Sequence, residues 1–214
     1  MGTRLIPLLL QRGHSVTALS RASSASKLPA GIQPVLADPL CDDYSSHIVG
    51  ADTFIHLIGV SHPSPAKAAE FRSVDLPALK HAVNAARAAQ VKQFIFISVA
   101  HPAPFMKAYI EVRRECEQII TESGMNATVL RPWYVLGPGH RWPYALKPMY
   151  WLMELFPPTR ESAQRLGLVT LQQILQALVH CAENPPAECR ILGVPEIRRG
   201  KSLEPDQHAA RVVT

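Results

Sequence analysis

The run Phe94-Ile-Phe-Ile97 constrains this chain more than any other stretch. It is apolar throughout, rich in aromatic and β-branched residues, and too short for a helix. It therefore reads as a strand buried on both faces, as in a parallel sheet. Ser98 stands where that strand ends. A loop with two prolines follows, and then a helix is predicted from about Phe105 to Glu122. Tyr109 and Arg113 are four apart on this helix and share one face. A hydroxyl at a strand end, facing a tyrosine backed by a cation, is an arrangement able to move a proton, because the cation favours the phenolate. The same spacing is also an ordinary helix surface contact, so the pattern alone does not assign chemistry.

The rest of the chain alternates. Leu5 to Gln11 is predicted as a short helix closed by Gly13. Strands are expected at Ser15–Ser20, Gln33–Ala37, Thr53–Val60, Ala127–Arg131 and Arg190–Val194. A helix runs from about Ala66 to Gln90, and Pro77 should break or kink it near Asp75. Tyr144–Phe156 and Thr170–Ala182 read as further helices, the second with Leu171, Ile174, Leu175 and Leu178 on one face. Strands alternating with helices make an α/β protein with a doubly wound parallel sheet. Ligands of such sheets bind at the carboxyl ends of the strands. Arg21, Asp38, Gly59, Ser98 and Pro132 all fall at such ends.

Composition narrows the functional classes. The chain has 214 residues, 47% hydrophobic and 18% charged, enough for one sizeable core. Its formal charge of +5 is modest and spread out, which argues against nucleic acid as partner and suits a small-molecule pocket. The four cysteines form no C-x-x-C pair and read as reduced thiols of a cytoplasmic protein. The nine histidines show no metal-ligand spacing, so no metal site is expected. No run approaches the roughly 18 apolar residues of a membrane helix, and no membrane association is expected. Residues 1–197 are read as one domain, with a small substrate-side region from about 132 to 197. Residues 198–214 are read as a polar, frayed tail.

The pieces Gly2 to Arg21, Asp38, Asp52-Thr-Phe-Ile-His-Leu-Ile-Gly59, Gln93-Phe-Ile-Phe-Ile-Ser98, Tyr109-x-x-x-Arg113 and Leu130-Arg-Pro-Trp-Tyr-Val-Leu-Gly-Pro138 come in a telling order. Together they resemble an atypical or extended short-chain dehydrogenase of the epimerase/dehydratase-like kind. The resemblance implies a Rossmann-like fold and an NAD(P)-binding site. It implies roles for Gly2, Arg21, Asp38, Ile58, Gly59, Arg113 and Pro132 in holding the cofactor. Arg21 resembles positions that pair with the NADP 2′-phosphate, so NADP is the expected cofactor, with NAD possible; a solvated loop arginine is the plain alternative. Asp38 resembles the residue that meets the adenine amino group, or else it is a capping aspartate. His56 reads as a core histidine. His101 is a candidate to face substrate, or else a plain loop histidine; Trp133, Tyr134, His140 and Trp142 are candidates to line a substrate pocket, or to fill the core.

Two departures from the family pattern matter. The chain opens at what resembles the third glycine of the family's Gly-x-x-Gly-x-x-Gly loop, so the first strand is absent. That strand is central in the order 3-2-1-4-5-6, and its loss is expected to leave a gap in the sheet. The reading is therefore of an N-terminally truncated domain; the alternative is a short protein in which the Ser15 strand pairs directly with the Thr53 strand. Arg113 stands where the family has Lys; it can hold ribose hydroxyls and favour the phenolate, but it cannot give up a proton. Two functions stay open at this stage. One is an oxidoreductase acting on a small molecule, with Ser98, Tyr109 and Arg113 as catalytic residues. The other is a non-catalytic NAD(P)H sensor or assembly factor, or a truncated form with impaired cofactor binding. A homo-oligomer is compatible with either.

Overall fold

The fold was analysed in a computed structural model, which describes residues 1–30, 32, 34–103, 105–137 and 165–200, with the backbone of 211–213. Strands β1 (Ser15–Ser20), β2 (Pro34–Leu36), β3 (Thr53–His56), β4 (Gln93–Ile97), β5 (Ala127–Leu130), β8 (Arg190–Leu192) and β9 (Arg211–Val213) form one sheet. Their order is β2-β1-β9-β3-β4-β5-β8, and every pairing is parallel. A separate two-stranded piece pairs β6 (Tyr134–Leu136) with β7 (Leu168–Thr170).

Period-two alternation assigns the core to two layers. Phe54, Phe94, Phe96 and Val129 face one side, where they meet Leu79, Ala82, Val83 and Ala86 of helix α2 (Leu76–Ala88) and Val112, Cys116 and Ile120 of helix α3 (Lys107–Glu122). Ile55, Ile95 and Leu130 face the other side. There they meet Leu5 and Leu9 of helix α1 (Gly2–Gln11) and Ile174, Leu175 and Leu178 of helix α4 (Leu171–Glu183). The central strands are thus apolar on both faces because both faces are covered. The Thr170 hydroxyl caps α4 by accepting from the Gln173 N–H, and the Gln173 side chain returns to the Thr170 N–H. Arg12, just past α1, donates twice to Glu183 at the end of α4, at 2.7 Å each.

The long helix predicted over 66–90 is interrupted as Pro77 requires. The chain passes through a 3₁₀ turn (Pro65–Lys67), one helical turn (Ala68–Glu70) and a π turn (Phe71–Asp75) before α2 begins with Pro77 in its first turn. Proline cannot donate to the preceding turn, and the wider π turn absorbs the mismatch. Asp75 closes that π turn and is 1% exposed.

Three expectations are corrected. The sheet has no gap between the Ser15 and Thr53 strands, and these do not pair directly. Arg211–Val213 lies between them, Val212 opposite both Val16 and Thr53. The segment read as a frayed tail from 198 therefore contains a central strand. Helix α5 (Val194–Arg199) also continues past Ile197 to Arg199. The strand expected to run to Val60 stops at His56, so Leu57–Gly59 form the turn over the sheet edge. The predicted helix Tyr144–Phe156 lies outside the described residues.

Candidate functional site

A cavity of about 320 Å³ lies at the carboxyl ends of β1 and β3, and Gly2, Arg21, Asp38, Ile58 and Gly59 all line it. Five residues far apart in sequence thus meet at one place because β1, β3, the chain after β2 and the start of α1 converge there.

Each contributes differently. Gly2 opens α1, whose N-terminus has no side-chain cap. Its first-turn N–H groups and helix dipole favour an anion at this end of the cavity. Arg21 is exposed, at the end of β1. The Asp38 carboxylate accepts the Leu40 N–H at 3.0 Å, so its turn-forming role is real, and it lines the cavity as well. His56 also lines the cavity. It is 2% exposed, lies against Phe94 and Phe96, and neither ring nitrogen has a protein partner. Burial, with a smaller push from the Arg113 cation, lowers its pKa to about 3, so the ring is neutral.

The second cluster adjoins Gly59. Arg113 is 5% exposed. Its Nη2 donates to Asp75 Oδ2 at 3.0 Å and its Nη1 to the Ile97 carbonyl at 3.1 Å. Asp75 Oδ1 accepts the Val60 N–H at 2.7 Å. The guanidinium carbon lies 5.3 Å from the Phe96 ring centre and 5.0 Å from that of Tyr109. Gly59 sits directly against this pair: a Cβ at Gly59 would stand 2.5 Å from Arg113 Nη2. Tyr109 packs on Phe71, ring centres 4.9 Å apart. Burial raises the Tyr109 pKa, and Arg113 pulls against this without cancelling it. Burial also pushes the Asp75 carboxyl up, against the pull of Arg113 and the Val60 N–H. Ser98 is buried and its Oγ has no protein partner.

The predicted residues therefore fall into three groups. Gly2, Arg21, Asp38, Ile58 and Gly59 share one cavity, and Arg113, Tyr109 and the end of β4 at Ser98 continue from Gly59. Pro132 is buried at the end of β5, and its carbonyl accepts the Ala100 N–H at 2.9 Å. His101 goes elsewhere. Its Nδ1 lies 3.1 Å from the Val99 carbonyl and its Nε2 faces Glu117 at 4.0 Å, in a polar groove over α3. Glu117 there takes two bonds from Arg131. Trp133 and Tyr134 pack edge to face at 5.5 Å, Tyr134 within β6. His140 and Trp142 lie outside the described residues. Two of the five Arg113 N–H donors are taken, by Asp75 and the Ile97 carbonyl. Asp75, which the sequence marks only as the place where Pro77 interrupts the helix, is the residue that joins Arg113 here.

Comparison with known proteins agrees with this geometry. A search of curated protein sequences returned no match. Among solved structures, similar folds include WbmH of Bordetella bronchiseptica in complex with NAD⁺, at 14% identity and TM-score 0.64. It covers 99% of this chain and 84% of that one. A UDP-glucose 4-epimerase of Thermotoga maritima with UDP-glucose is 16% identical at TM-score 0.64, covering 98% and 82%. A double mutant of DesIV, a dTDP-glucose 4,6-dehydratase of Streptomyces venezuelae, with NAD bound, is 15% identical at TM-score 0.63, covering 90% and 72%. These likenesses confirm the Rossmann-like α/β fold of epimerases and dehydratases. Residues 1–141 match the family described as NAD(P)H-binding, a span that holds α1, the cavity, Asp75 and the Tyr109–Arg113 helix. That match covers well over half of the sequence, and the chain belongs to the NAD(P)H-binding family.

Proposed function

We propose that this protein is an oxidoreductase that binds NADP in preference to NAD and acts on a small molecule. The observation that carries the reading is the convergence of Gly2, Arg21, Asp38, Ile58 and Gly59 on one cavity, whose Gly59 lies against Arg113. The residues fit a dinucleotide. The uncapped start of α1 suits the pyrophosphate, Arg21 suits a 2′-phosphate, and Asp38 suits the adenine amino group. Gly59 lets the backbone approach closely. The bound nicotinamide would supply the hydride chemistry. The chain's own part is to orient the substrate oxygen with Ser98 and to hold a proton on the Tyr109 hydroxyl.

A second reading, a non-catalytic dinucleotide-binding protein, is favoured by one observation. The cation beside Tyr109 is already compensated by Asp75. Replacing Tyr109 by Phe separates the two. Both readings expect NADPH binding to survive, measured by nicotinamide fluorescence. In the oxidoreductase reading, NADPH consumption across a panel of aldehydes and ketones falls at least a hundredfold, in line with the loss of a general acid. Turnover that survives the substitution contradicts the role given to Tyr109.

A further inference from the structure

Arg113 and Asp75 come from different elements, and the structure joins them: Nη2 to Oδ2 is 3.0 Å, with side chains 6% and 1% exposed. A lone cation buried to this extent is costly, and so is a lone carboxylate. Each therefore makes the other possible. The pair also ties three elements together. Asp75 holds the Val60 N–H, Arg113 holds the Ile97 carbonyl at the end of β4, and the guanidinium closes against Gly59.

We propose that Asp75 is a positioning residue: it neutralises Arg113 beneath the Gly59–Val60 turn, so that Tyr109 stands beside an ion pair and meets a ligand as a hydrogen-bond donor. Among the described residues, the charged and titratable groups around Tyr109 are few. Arg113 and Cys116 share its helix, Asp75 comes from the π turn, and neutral His56 lies near Arg113 from β3. Of these, Arg113 favours the phenolate, and Asp75 offsets it. With the unpartnered Ser98 Oγ close by in sequence at the end of β4, the donor character suits an acceptor oxygen such as a ketone or aldehyde carbonyl. This inference rests on the functional reading above, but its test needs no cofactor.

Tyr109 ionisation is followed by ultraviolet difference spectroscopy of the cofactor-free chain, with Tyr109→Phe subtracted to remove the other four of its five tyrosines. The native protein is expected to titrate Tyr109 above the ordinary value of about 10. Asp75→Asn, which keeps the shape and removes the charge, is expected to lower that midpoint by about one pH unit or more. Asp75→Glu is expected to keep it high. A purely structural Asp75 would lower thermal stability in Asp75→Asn and leave the midpoint where it was, and that result overturns the proposal. Should Asp75→Asn fail to fold, the double variant Asp75→Asn/Arg113→Gln, which removes both charges, decides: a midpoint that stays near the native one supports the offset, and one that rises by about a pH unit or more overturns the proposal. Loss of NADPH binding with the tyrosine shift intact would count against the oxidoreductase reading and not against the role of Asp75.

Discussion

Arg21, which lines the cavity, and Arg113, which lies against the lining residue Gly59, are held in opposite ways. Arg21 is exposed at the end of β1 and leaves its charge for whatever enters the cavity. Arg113 is buried, bonded to Asp75 and Ile97, and stacked over two aromatic rings. The same side chain can be a ligand-reading group or part of the scaffold, and burial with a partner decides which. In the proposed reading Arg21 meets a ligand, while Arg113 belongs to the scaffold beside Tyr109.

The contrast is broken most sharply by removing each arginine. Arg113→Ala leaves Asp75 buried without its cation and is expected to cost about 3–5 kcal/mol of folding stability, read from denaturant titration. Arg21→Ala is expected to change stability by no more than about 0.5 kcal/mol, as at other exposed sites. Equal stability losses would dissolve the distinction.

Gly59 lines the cavity and lies against Arg113. Alanine there would set its Cβ 2.5 Å from an Nη2 that cannot swing away, because Asp75 pins it. Gly59→Ala is expected to lose about 1–3 kcal/mol by the same titration, as overpacking does. The contrast is sharpened by Arg21→Ala with ligand present. NADPH affinity should fall about tenfold, or ~1.4 kcal/mol, the scale of a lost charge-assisted hydrogen bond. NADH affinity should change less than about twofold on the same scale.

The smallest effect at neutral pH is expected from His56, which lines the open cavity yet sits against the buried cluster. Its folded pKa, about 3, lies below the ordinary value near 6.5, so the unfolded chain binds the extra proton first. Its contribution is complete above about pH 6.5 and is lost as pH falls from there toward 3. His56→Leu should leave melting at pH 7.5 nearly unchanged and flatten the decline between pH 6 and 4. An unaltered acid profile would mean that another group sets it.

The fold was legible where burial on both faces leaves a plain mark. Phe94–Ile97 is apolar at every position, as are Phe54 and Ile55 in the middle of β3, and Leu171, Ile174, Leu175 and Leu178 mark the buried face of α4. Pro77 announced the break before α2. The strand that completes the sheet was not legible. Arg211-Val-Val213 is three residues with one charge, and only its place between β1 and β3 makes it a strand. At the site, residues at strand ends were found because parallel topology brings such ends together. Asp75 was missed as a partner because it is 38 residues from Arg113, and no periodicity links positions in different elements. The place of His101 was not legible, because a loop histidine beside a strand end can turn either way. Here the Val99 carbonyl and Glu117 hold it over α3.

The most direct test of the dinucleotide cleft is a titration of this chain with NADPH and NADH, followed by nicotinamide fluorescence. Saturable binding at one site per chain, tighter for NADPH and weakened by Arg21→Ala, is the predicted result. Fluorescence that rises linearly with either nucleotide and never saturates would contradict it.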